Sequence, residues 1–209
     1  MVHISDGVLP PAMLAAGFVL TAVLLYYSCR GIKAEEIPKI SLITAALFVA
    51  SLVHFPVGPT SVHLVMNGLA GILLGKRAYA GVFVALTLQA LFFQHGGLTA
   101  LGVNALNIGL PALLAWQLFE HRRGLCTPRR ETVFGGMAGG LAVLASVLMV
   151  SLELLALGEA FKEISVLVIG AHLPVILLEA VVVGGAAGLL VRVKPQMLAA
   201  SKNGTSEVH

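Results

Sequence analysis

From Ala12 to Tyr27 the chain reads AMLAAGFVLTAVLLYY, without one charged residue, and runs of this kind recur almost to its end. Their recurrence constrains the fold more than any other feature, because a helix crossing the hydrocarbon core of a bilayer needs roughly 20 mainly apolar residues. Hydrophobic residues make up 58% of the sequence and charged residues only 11%, which excludes a soluble domain. In lipid only helices and closed barrels satisfy their own backbones, and the runs are continuous rather than alternating. The expected fold is therefore all-α: a polytopic membrane bundle of about seven transmembrane helices, at 12–29, 38–54, 60–75, 78–93, 98–119, 133–157 and 164–191. Residues 1–195 then form one transmembrane domain with an N-terminal cap over 1–11, and 196–209 a polar tail.

The basic residues orient this bundle. With the N-terminus outside and the C-terminus cytoplasmic, every one of the thirteen Lys and Arg except Lys162 falls on the cytoplasmic side, as short inner loops require. The net charge of +3 is thus a topology signal, and no nucleic-acid partner is expected. No Lys or Arg precedes the first apolar run, so the start does not read as a secretory signal. Cys29 and Cys126 lie in separate cytoplasmic loops and suggest neither a disulfide nor a metal motif.

On this topology His3, His54, His63, His95 and His172 gather toward the outer face. A histidine near a chain end binds metal through its imidazole, the terminal amine and the intervening backbone nitrogens, a planar nitrogen set suited to Ni(II) or Cu(II). The competing reading is that each histidine caps a helix or holds a loop carbonyl at the interface. In HFPVGPTSVHLVMNGLAGILLG, His54 is expected to end the second span. Pro-Val-Gly-Pro makes the outer turn, and Thr60 or Ser61 caps the third helix, with His63 in its first turn. His63 is then the candidate partner of His3.

The stretches HISDGVLPP, FPVGPTSVHLVMNGLAGILLGKRA and LTLQALFFQHGGLTALGVNALNIGLPALLA resemble the cobalt/nickel substrate-binding membrane components (CbiM/NikM type) of energy-coupling-factor ABC transporters. The likeness is strong over residues 1–120 and only general in the last two spans. It implies a binding subunit of the cell (inner) membrane that captures Ni²⁺ or Co²⁺ from outside and has no cofactor. The donors it implies are the terminal amine, a nearby backbone nitrogen, an early histidine and the histidine of TSxHL, which at matching positions are Met1, His3 and His63. The family starts Met-His, whereas this chain starts Met-Val-His. Three cases stay open: Val2 becomes the end once Met1 is removed; Met1 is retained and the end alone fills a four-nitrogen site; or Val2 is foreign to the natural chain. The resemblance also places His95, Asn104 and Asn107 beside the site as supporting groups, with Gly96 and Gly97 in a tight turn. Its implied partners are a transmembrane coupling protein, two cytoplasmic ATPases and, in some members, a small accessory membrane protein.

Two carboxylates, Glu153 and Glu179, fall within apolar spans, where charge is expensive and functional by default. With His172 they motivate an alternative: a self-sufficient channel or proton-coupled metal carrier. An enzyme is not expected, since neither a Gly-x-Ser-Gly nucleophile segment nor a His-Glu-x-x-His helix occurs. Nor is there a Gly-x-x-x-x-Gly-Lys-Ser/Thr phosphate loop, so ATP hydrolysis is expected in separate subunits. Pairs of small residues four apart, such as Gly135 and Gly139 or Gly184 and Gly188, suggest close helix contacts.

Overall fold

The computed structural model describes residues 3–57, 60–122 and 127–198, with 54–57 and 60–62 as backbone only. These residues form seven α-helices: α1 (Pro11–Cys29), α2 (Ile37–Ser51), α3 (Asn67–Leu74), α4 (Ala78–Phe93), α5 (Leu101–Glu120), α6 (Pro128–Ala156) and α7 (Lys162–Val193). Strands β1 (His54–Val57) and β2 (Thr60–His63) pair antiparallel between α2 and α3. Proline opens α1 and α6, where its missing N–H costs nothing. Five stretches are long and apolar enough to cross a membrane, and α1 turns Phe18, Val19, Leu20 and Val23 outward as a lipid-facing surface. The chain is a multi-pass membrane protein.

The third expected span needs correction. Residues 60–63 are strand rather than helix, so neither Thr60 nor Ser61 caps α3, and His63 is not in a first helical turn. His54 does not end α2 either; it begins β1, directly opposite His63. The intervening turn at 58–59 lies outside the described residues.

Beyond the hairpin the chain makes only half a helix. The α3 helix has eight residues, about 12 Å at the usual rise and too short to cross a bilayer. It starts inside the bundle, where the Asn67 amide donates to Ile108 O of α5 and to Ser146 Oγ of α6. It then runs alongside α5, so that Gly71 faces Trp116 and Ala115. At Gly75 (φ +59°), packed on the Trp116 indole, the chain reverses. Helix α4 then returns antiparallel to α5, with Tyr79 against Gly109. The Asn67–Phe93 stretch, although long enough to span as sequence, is therefore a half-helix that runs from inside the bundle to the arginine-rich end, followed by a separate helix that returns.

This arrangement places unwound backbone at membrane depth, where water cannot satisfy it. Glu179 of α7 resolves the problem: its Oε1 accepts from Val65 N at 2.6 Å and Met66 N at 2.7 Å. Met66 is left-handed (φ 54°) and caps α3 without a side-chain bond, while the Asn67 side chain takes the N–H of Gly68. A carboxylate at a helix N-terminus also complements the helix dipole.

Two features hold the helices together. Glycines let α6 and α7 approach closely: a Cβ on Gly139 would lie 2.7 Å from Glu179 O and 2.8 Å from Val183 Cβ. At the arginine-rich end the buried Arg77 guanidinium donates to the carbonyls of Ser28, Arg30 and Gly31 and to both oxygens of Glu36. It thereby ties the end of α1 and the α1–α2 loop to the α3–α4 turn.

Replacing Gly139 with Leu is expected to destabilise the protein by about 1–3 kcal/mol through overpacking, seen as a lowered thermal midpoint in detergent. Hydrogen bonding to Arg77 lowers the Glu36 pKa from 4.5 to about 2. The Arg77–Glu36 contribution is therefore intact above pH 4.5 and lost as pH falls through about 2. Glu36→Gln should abolish that acid dependence. Arg77→Leu should cost about 2 kcal/mol, because it also strands the buried Ser28 carbonyl, and unfolding curves across pH measure both.

Candidate metal-capture site

The segment before α1 is docked by two polar side chains. Asp6 reaches the start of α5, where its carboxylate accepts from Leu98 N, Thr99 N, Thr99 Oγ1 and Ala100 N. These N–H groups belong to the turn that leads into α5, whose N-cap residue, Ala100, supplies no side chain, so Asp6 fixes the start of the helix from a distant part of the chain. Asn104 binds Ile4 from both sides: its Oδ1 accepts from Ile4 N, and its Nδ2 donates to Ile4 O and Gly96 O. Gly96 and Gly97 both have positive φ, and a Cβ on Gly97 would collide with the Asp6 carboxyl. That glycine pair is thus the floor on which the segment rests.

Docking carries His3 into the bundle. Its ring stacks on that of His63 at 5.0 Å between centroids, with 19° between planes. His3 is 8% and His63 3% exposed, and neither ring nitrogen of His3 has a hydrogen-bond partner. Burial, reinforced by the nearby charge of His63, holds the His3 pKa well below 6.5, so the imidazole is neutral at neutral pH. The His63 Nδ1 lies 2.8 Å from Leu64 O; because a carbonyl only accepts, Nδ1 carries the proton and the lone pair is on Nε2. Beside the rings is a cavity of about 20 Å³, lined by both histidines, Ser51 and Gln89 among apolar neighbours. It holds about one water molecule or one ion.

These groups suit a borderline-soft divalent cation. Two neutral imidazoles are nitrogen donors that nickel and cobalt accept, while Mg²⁺ and Ca²⁺ require oxygen. Among the described residues no group of three or more His, Cys, Asp or Glu is placed to hold a metal. The expected ligands Met1 and Val2 lie outside the described residues. The stacked rings face one another, so an ion held in both ring planes needs one ring to turn.

The remaining candidates divide. The His95 ring lies against Phe93 at 6.1 Å, close enough to His3 for its charge to oppose protonation there. Asn104 holds the docked segment, whereas Asn107, one turn on, donates instead to Glu153 Oε2 of α6 at 2.7 Å. His172 donates Nδ1–H to Val168 O, and its Nε2 is buried without a partner. Sequence reasoning missed the Asp6 cap and Gln89. Gln89 was visible as the one amide in the apolar stretch VALTLQALFF, but its direction depends on how α4 packs.

Residues 3–197 match the family described as "Cobalt uptake substrate-specific transmembrane region". A Haemophilus influenzae protein whose name assigns it to metal transport is 33% identical, covering 96% of this chain and 98% of that one. The cobalt transport protein CbiM of Geobacter sulfurreducens is 32% identical over 94% of this chain, which spans 61% of its length. The fused nickel transport protein NikMN of Rhodobacter capsulatus is 33% identical over 72% of this chain, with 46% of its own length covered. The solved structure of a transition metal transporter shares the fold, with TM-score 0.72 at 22% identity, covering 91% of this chain and 93% of that one.

Because Thr99 and neighbouring backbone N–H groups lower the Asp6 pKa below 3.8, docking of the N-terminal segment is expected to be intact above pH 3.8 and lost as the carboxylate protonates below it. Asp6→Ala or Gly97→Val should release the segment at neutral pH. Faster proteolysis before Pro11, with the helices still folded by circular dichroism, measures that release.

Proposed function

Given that the chain belongs to the cobalt-uptake substrate-specific transmembrane family, we propose that it captures Ni²⁺ or Co²⁺ for an ATP-driven energy-coupling-factor importer. Capture takes place at the membrane face where the N-terminal segment docks, which the distribution of Lys and Arg assigns to the outside. The observation that carries the reading is the buried His3 ring, stacked on His63 with both of its nitrogens unpartnered. Met1, Val2, His3 and His63 supply the ligands; Asn104 holds the segment, and His95 and Asn107 support the surrounding bundle. Energy comes from partners, because the sequence lacks a phosphate loop: a transmembrane coupling protein and two cytoplasmic ATPases, joined in some members of the family by a small accessory membrane protein.

The chemistry divides among these groups. Burial keeps His3 neutral, so its lone pair is available without losing a proton first. The Leu64 carbonyl orients His63 by taking the proton of Nδ1, and such an outer partner raises the basicity of the other nitrogen. A carrier built on Glu179 finds less support, since bonding Val65 and Met66 at the start of α3 accounts for that buried carboxylate.

His3→Ala and His63→Ala should each abolish co-purification of nickel or cobalt while leaving the thermal midpoint of the metal-free protein nearly unchanged. Metal analysis with intact-mass spectrometry checks this, and the mass tells whether Met1 or Val2 supplies the amine. Retention of metal by both variants would overturn the proposal. Binding should weaken as pH falls, since protons compete for every nitrogen donor.

A further inference from the structure

The cavity beside the stacked imidazoles contains a group that the proposed ligand set does not use. Gln89, on α4, is 4% exposed, and its Oε1 is buried without a hydrogen-bond partner. Buried carbonyls without a donor are rare enough that each calls for a reason. Here the missing donor has a natural source on the same cavity wall. An imidazole that binds a cation through one nitrogen carries a hydrogen on the other, and an acceptor for that N–H fixes the ring orientation and strengthens the ligand. His63 has such an acceptor in Leu64 O. His3 has none: both its nitrogens are buried and unpartnered. Ser51, the other polar residue of the lining, has its hydroxyl bonded to Phe48 O at 2.6 Å, whereas Gln89 Oε1 has no partner at all. The Ile4 carbonyl of the docked segment already accepts from Asn104, which leaves Gln89 Oε1 as the acceptor without a donor.

We propose that Gln89 is the positioning residue for His3: as the His3 ring turns out of its stack to give one nitrogen to Ni²⁺ or Co²⁺, its other N–H donates to Gln89 Oε1. This rests on His3 and His63 being ligands. Gln89 does not touch the ion. It selects the ring rotation in which the His3 lone pair meets that of His63, a pairing that uses the two groups of the cavity wall that have no other partner.

The test uses the full chain in nanodiscs, titrated with Ni²⁺ and with Co²⁺ and followed by calorimetry and ligand-field absorption. Gln89→Leu keeps the size of the side chain but removes the acceptor. It should weaken binding about 10–100-fold, the usual effect of losing an outer partner of a metal ligand, and shift the absorption band. Gln89→Glu keeps an acceptor and should restore both. In the metal-free protein Gln89→Leu should leave the thermal midpoint equal or higher, because no hydrogen bond is lost. Unchanged affinity and spectrum in Gln89→Leu would overturn the assignment, as would a metal-free midpoint that falls in step with affinity. Loss of binding in Ser51→Ala but not in Gln89→Leu would transfer the role to Ser51 and overturn it too. His3→Ala separates the two levels: if it loses the metal while Gln89→Leu does not, the site stands and only the role of Gln89 fails.

Discussion

The need to satisfy backbone hydrogen bonds away from water governs this molecule. The α3 helix begins inside the bundle rather than at its edge, which leaves the N–H groups of Val65 and Met66 where lipid and protein exclude solvent. Glu179 Oε1 takes both. Its own helix is held against α6 by glycines that leave no room for a side chain, so the carboxylate is delivered from a rigid wall. The hairpin and His63 depend on that capped half-helix for their depth in the bundle.

A second carboxylate solves the same problem at the start of α5. Asp6 takes the N–H groups of Leu98, Thr99 and Ala100 in the turn that leads into α5, and in doing so fixes the N-terminal segment to the bundle. The two candidate imidazoles thus arrive on different non-helical segments, His3 on the docked N-terminal segment and His63 at the end of β2, each anchored close by in the chain: His3 by Asp6 and Asn104, His63 through Val65 by Glu179. The proposed capture site is accordingly a meeting of the docked N-terminal segment and the β-hairpin within a frame of α4, α5 and α7.

Much of the frame was legible in the sequence. Apolar runs located α1, α2 and α4 to α7, because hydrocarbon demands continuous hydrophobicity whatever the helix packs against. The Gly96–Gly97 pair announced a turn, since two adjacent glycines tolerate positive φ. The segment 54–66 was misread for a physical reason. Strand, extended chain and helix are all compatible with a short apolar run containing Val, Pro and Thr, and length alone could not separate a half-helix from a full one. Glu179 was visible as an intramembrane carboxylate, but its partners lie 113 and 114 residues away.

By itself the sequence determined that this chain is a helical multi-pass membrane protein of the cobalt-uptake family, with its basic residues gathered at one end, because hydrophobic run length and charge are local properties that no later packing reverses. It also singled out His3 and His63. Only the tertiary structure decided that these two rings meet, that Asn107 turns to α6 while Asn104 holds Ile4, and that Gln89 points into their cavity. Such pairings depend on helix rotation and on where unwound backbone finds its hydrogen bonds, and both are settled by contacts between segments far apart in the chain.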